Sequence, residues 1–180
     1  MGGFPIISAV VFLPLIGALI IMGVRSATAG SFSSEEAGKD SRAALLAGLI
    51  ISSATFVASV AAFLTFDPNA AGYQLVEQYA WYGEITYKVG IDGLSMPLIL
   101  LTTFLTPICL LASWNSINTR VTEYVVAFLV LETFMLGVFA ALDIVLFYIF
   151  FEAGLIPMFL IIGIWGGKEK IYAAFKFFLY

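Results

Sequence analysis

Residues 143–170 read Asp143-Ile-Val-Leu-Phe-Tyr-Ile-Phe-Phe-Glu-Ala-Gly-Leu-Ile-Pro-Met-Phe-Leu-Ile-Ile-Gly-Ile-Trp-Gly-Gly-Lys-Glu-Lys170. This stretch decides the fold, because the run from Ile144 to Trp165 is apolar except for one carboxylate, that of Glu152. A helix of this length rises about 33 Å, which is enough to cross a hydrocarbon core of about 30 Å. The stretch therefore predicts a membrane-spanning helix with an ionisable side chain near its middle.

The carboxylate of Glu152 is costly at such a depth. Placing a charged side chain at the centre of a membrane helix costs about 2.5–3.5 kcal/mol on insertion scales, so an ionisable residue there usually has a function. Tyr148 lies one turn earlier on the same helical face, where its hydroxyl can donate a hydrogen bond to the carboxylate. We therefore expect Glu152 to carry protons, with Tyr148 as its hydrogen-bond partner.

The composition of the whole chain is that of a membrane protein. Of the 180 residues, 62% are hydrophobic and 11% are charged, whereas soluble domains contain about 45–50% apolar and 25% charged residues. One cysteine, Cys109, and no histidine are present, so the usual ligands of haem, zinc and copper are missing. Neither of the common glycine-rich nucleotide-binding patterns occurs, and no basic patch favours nucleic acid. We expect this chain itself to bind no redox cofactor, no metal and no nucleic acid.

The apolar runs predict five full spans and the start of a sixth. They cover about residues 4–24, 43–66, 93–114, 124–142, 144–165 and 171–180, and the last is too short to cross a membrane. The expected fold class is an all-α polytopic transmembrane helix bundle, in which residues 1–180 belong to one domain. A cleaved signal peptide is the alternative for the first span, but its N-terminus has no basic residue and Arg25 follows the run.

Two polar segments separate the early spans. Residues 25–42 are predicted to be a solvated connector. Residues 67–91 are rich in aromatic side chains and alternate in polarity around Glu84, which predicts a short strand or hairpin at the membrane interface. Asp92 and Asp143 precede the third and fifth spans, where we expect them to cap helix N-termini. A relay role is the alternative for Asp143.

The basic residues indicate the orientation of the chain. With the N-terminus outside, the predicted inner loops hold six basic residues and the predicted outer segments hold one. The inner residues are Arg25, Lys39, Arg42, Arg120, Lys168 and Lys170, and the outer residue is Lys88. An excess of Lys and Arg is expected on the cytoplasmic or matrix side. The N-terminus is therefore expected to lie outside.

Two further charged residues fall within predicted helices. Glu132 and Glu152 lie ten residues before and after Leu142, at the centre of the predicted turn, so we expect them to share one depth. If they lie close together they titrate as a coupled pair; Glu132 is either a proton relay or an acceptor of hydrogen bonds across a helix interface. Lys176 lies nearer the inner surface than Glu152, and either takes part in proton transfer or extends to that surface.

Four segments carry a resemblance to a known family: residues 90–95, 147–159, 163–167 and 172–180. They resemble subunit M (chain 4) of proton-translocating NADH:quinone oxidoreductase, respiratory complex I. The likeness is strong from Val89 to Tyr180, and over the first two helices it extends only to the hydrophobic pattern. The resemblance implies an antiporter-like membrane subunit, of which residues 1–180 are the N-terminal part.

The resemblance also implies residue roles. In that family the glutamate that matches Glu152 is an element of the proton channel, and lysines on later helices complete it. Lys176 matches a lysine of bacterial-type members that the family does not require throughout. NADH, FMN, iron–sulfur clusters and quinone are then expected in or beside other subunits, and none in this chain.

The expected partners are the other membrane and peripheral subunits of complex I, including neighbouring antiporter-like subunits, together with the lipid bilayer. The expected location is the bacterial plasma membrane or the mitochondrial inner membrane. Two alternatives stay open. One is a subunit of a multisubunit Na+/H+ antiporter or a membrane-bound hydrogenase, and the other is a structural subunit whose carboxylates only hold helices together.

Overall fold

Six helices and one β-hairpin make up the computed structural model, which describes residues 5–28, 34–70, 72–82 and 85–179. The helices are α1 (Ile6–Thr28), α2 (Ser34–Thr65), α3 (Ser95–Ala112), α4 (Val121–Ala140), α5 (Ile144–Trp165) and α6 (Lys170–Leu179). Five of them, α1 to α5, are long and apolar enough to cross a membrane. The chain is therefore an integral membrane protein of the all-α class, as predicted. The orientation with the N-terminus outside stays a prediction.

The predicted spans and the observed helices agree closely towards the end of the chain. The predicted fifth span coincides with α5, and the first, third, fourth and sixth spans differ from the helices by one to four residues at each end. The second span was predicted to begin nine residues later than α2 does. Three residues of the predicted elements lie outside the described residues: Phe4 of the first span, Glu84 of the hairpin and Tyr180 of the sixth span.

The predicted connector at residues 25–42 is wrong in its extent. Helix α1 continues to Thr28, and α2 begins at Ser34 and runs for 32 residues. The polar start of α2 is rich in Glu, Ala, Lys and Arg, which are good helix formers. The charged residues therefore mark the boundary of the apolar region, and α2 itself begins earlier in the chain.

Helix α4 is the central element of the bundle. It packs against α1, α2, α3 and α5, and 50% of the residues in its most apolar stretch are buried. Helix α5 is different, since only 17% of the corresponding residues are buried. One long side of α5 is thus uncovered in this chain, and this side bears on the functional site.

The predicted hairpin is confirmed. Strands β1 (Gln74–Tyr82) and β2 (Ile85–Ile91) pair antiparallel as a two-stranded sheet. The hairpin lies at the end of the bundle where α4 ends, because the Leu142 backbone N–H donates to the Lys88 carbonyl at 2.9 Å. Gly90 allows this approach, since a Cβ atom there would lie 2.8 Å from the Leu142 side chain.

Glu77 of β1 fastens the hairpin to the start of α1. Its carboxylate accepts backbone N–H groups from Ile7 at 2.7 Å and Ser8 at 3.2 Å, which are among the first N–H groups of a helix and have no acceptor within it. The Ser8 hydroxyl also donates to Glu77 and lies 2.8 Å from the Tyr87 hydroxyl. Burial raises the pKa of Tyr87, so the phenol stays neutral and can donate to Ser8. The negative charge also suits the positive end of the helix dipole.

We expect Glu77→Gln to loosen the hairpin. The amide loses the charge-assisted hydrogen bonds, and such bonds contribute about 1.5–3 kcal/mol each, so the free energy of unfolding should fall by roughly 1–2 kcal/mol. Thermal denaturation of the purified protein and protease cleavage within residues 74–91 would measure the change. Gln78→Ala, at an exposed neighbouring position, is the matched control and should behave as wild type. Unchanged protease protection in Glu77→Gln would contradict this role.

Candidate functional site

Helix α5, which carries Glu152, has well-defined ends. The Asp143 side chain accepts the backbone N–H groups of Val145 at 2.9 Å and Leu146 at 3.1 Å. The predicted capping role of Asp143 is thus confirmed. The helix ends at Trp165, just before Gly166. A Cβ atom added at Gly166 would lie 2.3 Å from the Ile162 carbonyl oxygen, so the backbone there has no room for a side chain. These two ends fix the position of Glu152 along the helix.

The side of α5 that packs on α4 does not include Glu152. Phe150 is buried against Gly137 of α4, and Gly154 lies opposite Phe134. Residues two apart on a helix point about 200° apart, so Glu152 lies on the side away from Phe150. It is accordingly exposed in this chain. The uncovered side of α5 thus carries the intramembrane carboxylate.

Tyr148 shares that side of α5. It is 61% exposed, and its hydroxyl is in electrostatic contact with the Glu152 carboxylate one turn further on. None of the ion pairs formed by the described residues includes Glu152. The structure therefore places Tyr148 and Glu152 together, as the sequence suggested, and supplies no cation for them within the part of the chain that it describes.

Lys176 lies too far along α6 to pair with Glu152. Gly163 of α5 is opposite Ala174 of α6, and the Phe159 ring packs on Phe178, so Lys176 is level with residue 161. That is nine residues from Glu152, or about 13 Å along the helix axis. The Lys176 ammonium instead lies 5.7 Å from the centre of the Tyr172 ring.

Glu132 occupies a different environment from Glu152. It is 2% exposed, and both of its carboxyl oxygens lack a hydrogen-bond partner among the described residues. The polar neighbour in electrostatic contact with it is Thr106 of α3. Glu132 therefore faces the interior of the bundle and not the uncovered side of α5.

The two carboxylates do not come together. Glu132 is two residues from Phe134, which packs towards α5, so Glu132 points to the opposite side of α4. With α4 between them, a directly coupled pair is excluded in this arrangement.

The expectation of one shared depth is also wrong. Because Phe134 is level with Gly154, Glu132 is level with residues 155–156, about 5 Å or one helical turn deeper than Glu152. The reason is the connection between the helices. Ala141 has an extended backbone and bridges to Val89 of β2, so α4 ends before the turn.

Buried hydroxyls recur on α2, α3 and α4, and that of Thr106 contacts the Glu132 carboxyl. Sequence reasoning did not single out Thr106. The side chains of Ser52, Thr55, Ser59, Thr102, Thr103, Thr106 and Thr133 are all buried. Ser59 of α2 contacts Thr103 of α3 at 2.7 Å between hydroxyl oxygens. The spacing of Thr102, Thr103 and Thr106 on one side of α3 was the available signal, since hydroxyls recurring every three to four residues indicate a common face.

A separate groove opens between α1, α4 and α5. Its volume is about 960 Å³ and its walls are mostly apolar, with the ion pair of Arg25 and Glu123, 3.3 Å apart, at one end. Phe134 and Pro157 line the other end. Neither Glu132 nor Glu152 lines this groove.

Comparison with known families gives two matches that together extend over most of the chain. Residues 41–141 match the family described as NADH-ubiquinone oxidoreductase chain 4, amino terminus. Residues 141–180 match the family described as NADH:quinone oxidoreductase/Mrp antiporter, TM. The second match contains Glu152, and the first contains Glu132.

Individual relatives agree with these families. The chain is 50% identical over 175 residues to NADH-quinone oxidoreductase subunit M of Rhodobacter capsulatus, covering 97% of this chain and 32% of the relative. It is 42% identical over 179 residues to subunit M of Rickettsia conorii, covering 98% and 35%. It is 41% identical over 179 residues to NADH-ubiquinone oxidoreductase chain 4 of Marchantia polymorpha, covering 97% and 33%. The chain thus spans about a third of the length of these curated relatives.

Proposed function

Since the chain belongs to the family of NADH-ubiquinone oxidoreductase chain 4, we propose that it is part of a proton-translocating membrane subunit of NADH:quinone oxidoreductase. In this function, quinone reduction elsewhere in the complex drives protons through a channel that contains Glu152. The subunit is then part of an enzyme, a translocase, while this chain performs no redox chemistry itself. Its place is the bacterial plasma membrane or the mitochondrial inner membrane.

The observation that carries this proposal is the setting of Glu152. A carboxyl group lies in the middle of a membrane-spanning helix, on the side that the rest of this chain leaves uncovered. Such a side is free to face further helices of a longer subunit or water between them, and an ionisable group within a membrane is by default functional. A structural carboxylate would instead be expected to bind a neighbour within its own bundle.

The other candidate residues have different roles in the proposal, according to their distance from Glu152. Tyr148, in electrostatic contact with Glu152, orients its carboxyl. Lys176 is about 13 Å from the level of Glu152 and serves as a relay nearer the inner surface. Glu132 is a relay only by a route separate from Glu152, since it faces α3. The cation that pairs with Glu152 is then a lysine of a later part of the subunit, as the family resemblance implies.

The proposal requires other subunits. Moving one proton against 100 mV costs about 2.3 kcal/mol, and a helix bundle without a redox group has no source for this energy. NADH, FMN, iron–sulfur clusters and quinone are therefore assigned to neighbouring subunits. The partners are the membrane and peripheral subunits of the complex, with other antiporter-like subunits beside this one.

Two alternative functions are distinguished by what assembles with the protein. A subunit of a multisubunit Na+/H+ antiporter or of a membrane-bound hydrogenase would use the same carboxyl, and the match to a family shared with Mrp antiporters supports this as the second candidate. A purely structural subunit would need Glu132 and Glu152 only for assembly.

Purification of the full-length protein by an affinity tag tests the proposal. We expect flavin, iron–sulfur clusters and NADH:quinone oxidoreductase activity to co-purify with it in mild detergent. The matched control carries the same tag on an unrelated membrane protein of the same cells. Recovery of membrane subunits alone, without flavin, would point to the antiporter. Hydrogenase activity in place of NADH oxidation would point to the hydrogenase, and either result would reject the proposed complex.

A further inference from the structure

The carboxyl group of Glu132 is buried among acceptors of hydrogen bonds. Both of its oxygens are inaccessible and unpaired among the described residues. An ionised carboxylate is an acceptor only, so at such a site it needs donors. A buried polar group without a partner is strongly unfavourable. The protons available around Glu132 therefore decide which form of the group the site can hold.

The hydroxyl of Thr106, like those of Thr102 and Thr133 on the same two helices, donates its proton to a backbone carbonyl. Thr106 donates to the Thr102 carbonyl at 3.0 Å, Thr102 to the Leu98 carbonyl at 2.8 Å, and Thr133 to the Leu129 carbonyl at 3.1 Å. Hydroxyls in membrane helices commonly bond to the preceding turn in this way. Their oxygens keep lone pairs, so the Thr106 oxygen faces the Glu132 carboxyl as an acceptor.

We propose that Glu132 and Thr106 form a second proton-binding site, on the opposite side of α4 from Glu152, in which Glu132 is a neutral carboxylic acid that donates to the Thr106 hydroxyl oxygen. The ligand is the proton itself. Its release requires a donor or water to enter between α3 and α4. Whether Glu132 carries the proton does not depend on the function proposed above. A role of this site in proton translocation does rest on that function.

The charged groups described on the surrounding helices do not provide a cation that would pair with an ionised Glu132. On α1, Arg25 lies at the far end of the bundle with Glu123, and on α2 the described charged side chain is that of Arg42, at the same end. Helix α3 contributes the exposed Cys109. On α5, Tyr148 and Glu152 lie on the uncovered side. No charged group described on these elements is in electrostatic contact with Glu132. Its polar neighbour is Thr106, whose hydroxyl proton is donated to the Thr102 carbonyl.

Infrared difference spectroscopy of the assembled complex at neutral pH tests the proposal. The difference between wild type and Glu132→Gln should contain the C=O stretching band of a protonated carboxylic acid. Glu152→Gln should retain that band, because its carboxyl belongs to a different site. Proton pumping is measured separately, so a failure of the proposed translocation leaves this result unaffected.

Substitutions of Thr106, the residue to which Glu132 donates in this proposal, keep the test decisive if the complex with Glu132→Gln does not assemble. Thr106→Val removes the acceptor oxygen and should shift the band towards that of a free acid, whereas Thr106→Ser keeps the oxygen and should leave it in place. Absence of the band, or a band that Thr106→Val leaves unshifted, would overturn the proposal. A carboxylate band that depends on added Na+ would overturn it as well, by showing a cation in place of the proton.

Discussion

Glu152→Gln is expected to abolish proton translocation by the assembled complex. Glutamine has nearly the same shape and occupies an exposed position on α5, so folding should not suffer, but its amide cannot bind and release a proton near neutral pH. Removal of a positioned proton-transfer group typically costs 10²–10⁴-fold. We therefore expect the coupled rate of quinone reduction to fall by roughly a hundredfold, measured together with proton uptake in sealed vesicles.

Two comparisons isolate this effect. Glu169→Gln removes the same charge from an exposed turn beside α6 and should pump as wild type does. Glu132→Gln should have a smaller effect on pumping than Glu152→Gln, and a loss of assembly in Glu132→Gln would favour the interpretation that this carboxyl holds helices together. Near-normal pumping by an assembled Glu152→Gln complex would exclude Glu152 as a carrier of protons.

The sequence predicted the intramembrane carboxyls but not the directions in which they point. Helices α4 and α5 are apolar on all sides, so hydrophobic periodicity does not show which face packs. The contacts of Gly137 with Phe150 and of Phe134 with Gly154 reveal that Glu132 and Glu152 point to opposite sides of the helix pair. The expectation that they share a depth failed for a similar reason, because the extended backbone at Ala141 cannot be counted from residue numbers alone.

Local signals were more reliable than distant ones in the rest of the fold. Asp143 before an apolar run predicted the start of α5, since caps act within a few residues. The alternating residues around Glu84 likewise predicted a short strand or hairpin there, without the register of the strands. The carboxylate of Glu77 gave no such signal, because its acceptor role depends on Ile7, 70 residues away in the chain.

Gly137→Ala is expected to cause the largest loss of stability among single substitutions at the α4–α5 interface. A Cβ atom at this position would lie 2.4 Å, 2.5 Å and 2.6 Å from three ring atoms of Phe150, and that ring is buried, so it cannot simply turn away. Overpacking of a core typically costs about 1–3 kcal/mol. We expect the melting temperature of the purified protein to fall and less assembled complex to appear on native gels.

The same helix pair offers a control substitution, Gly154→Ala, and a compensating substitution, Phe150→Leu. Gly154 also lies at the interface, yet a Cβ atom there would be 3.5 Å from Phe134, which is an ordinary contact, so Gly154→Ala should be nearly neutral. Adding Phe150→Leu to Gly137→Ala should recover part of the lost stability, because the smaller side chain vacates the space that the new methyl group needs. Equal effects of the two alanine substitutions, or a double variant less stable than Gly137→Ala alone, would contradict this packing. The outcome bears on function too, since the contact of Gly137 with Phe150 is what turns Glu152 towards the uncovered side of α5.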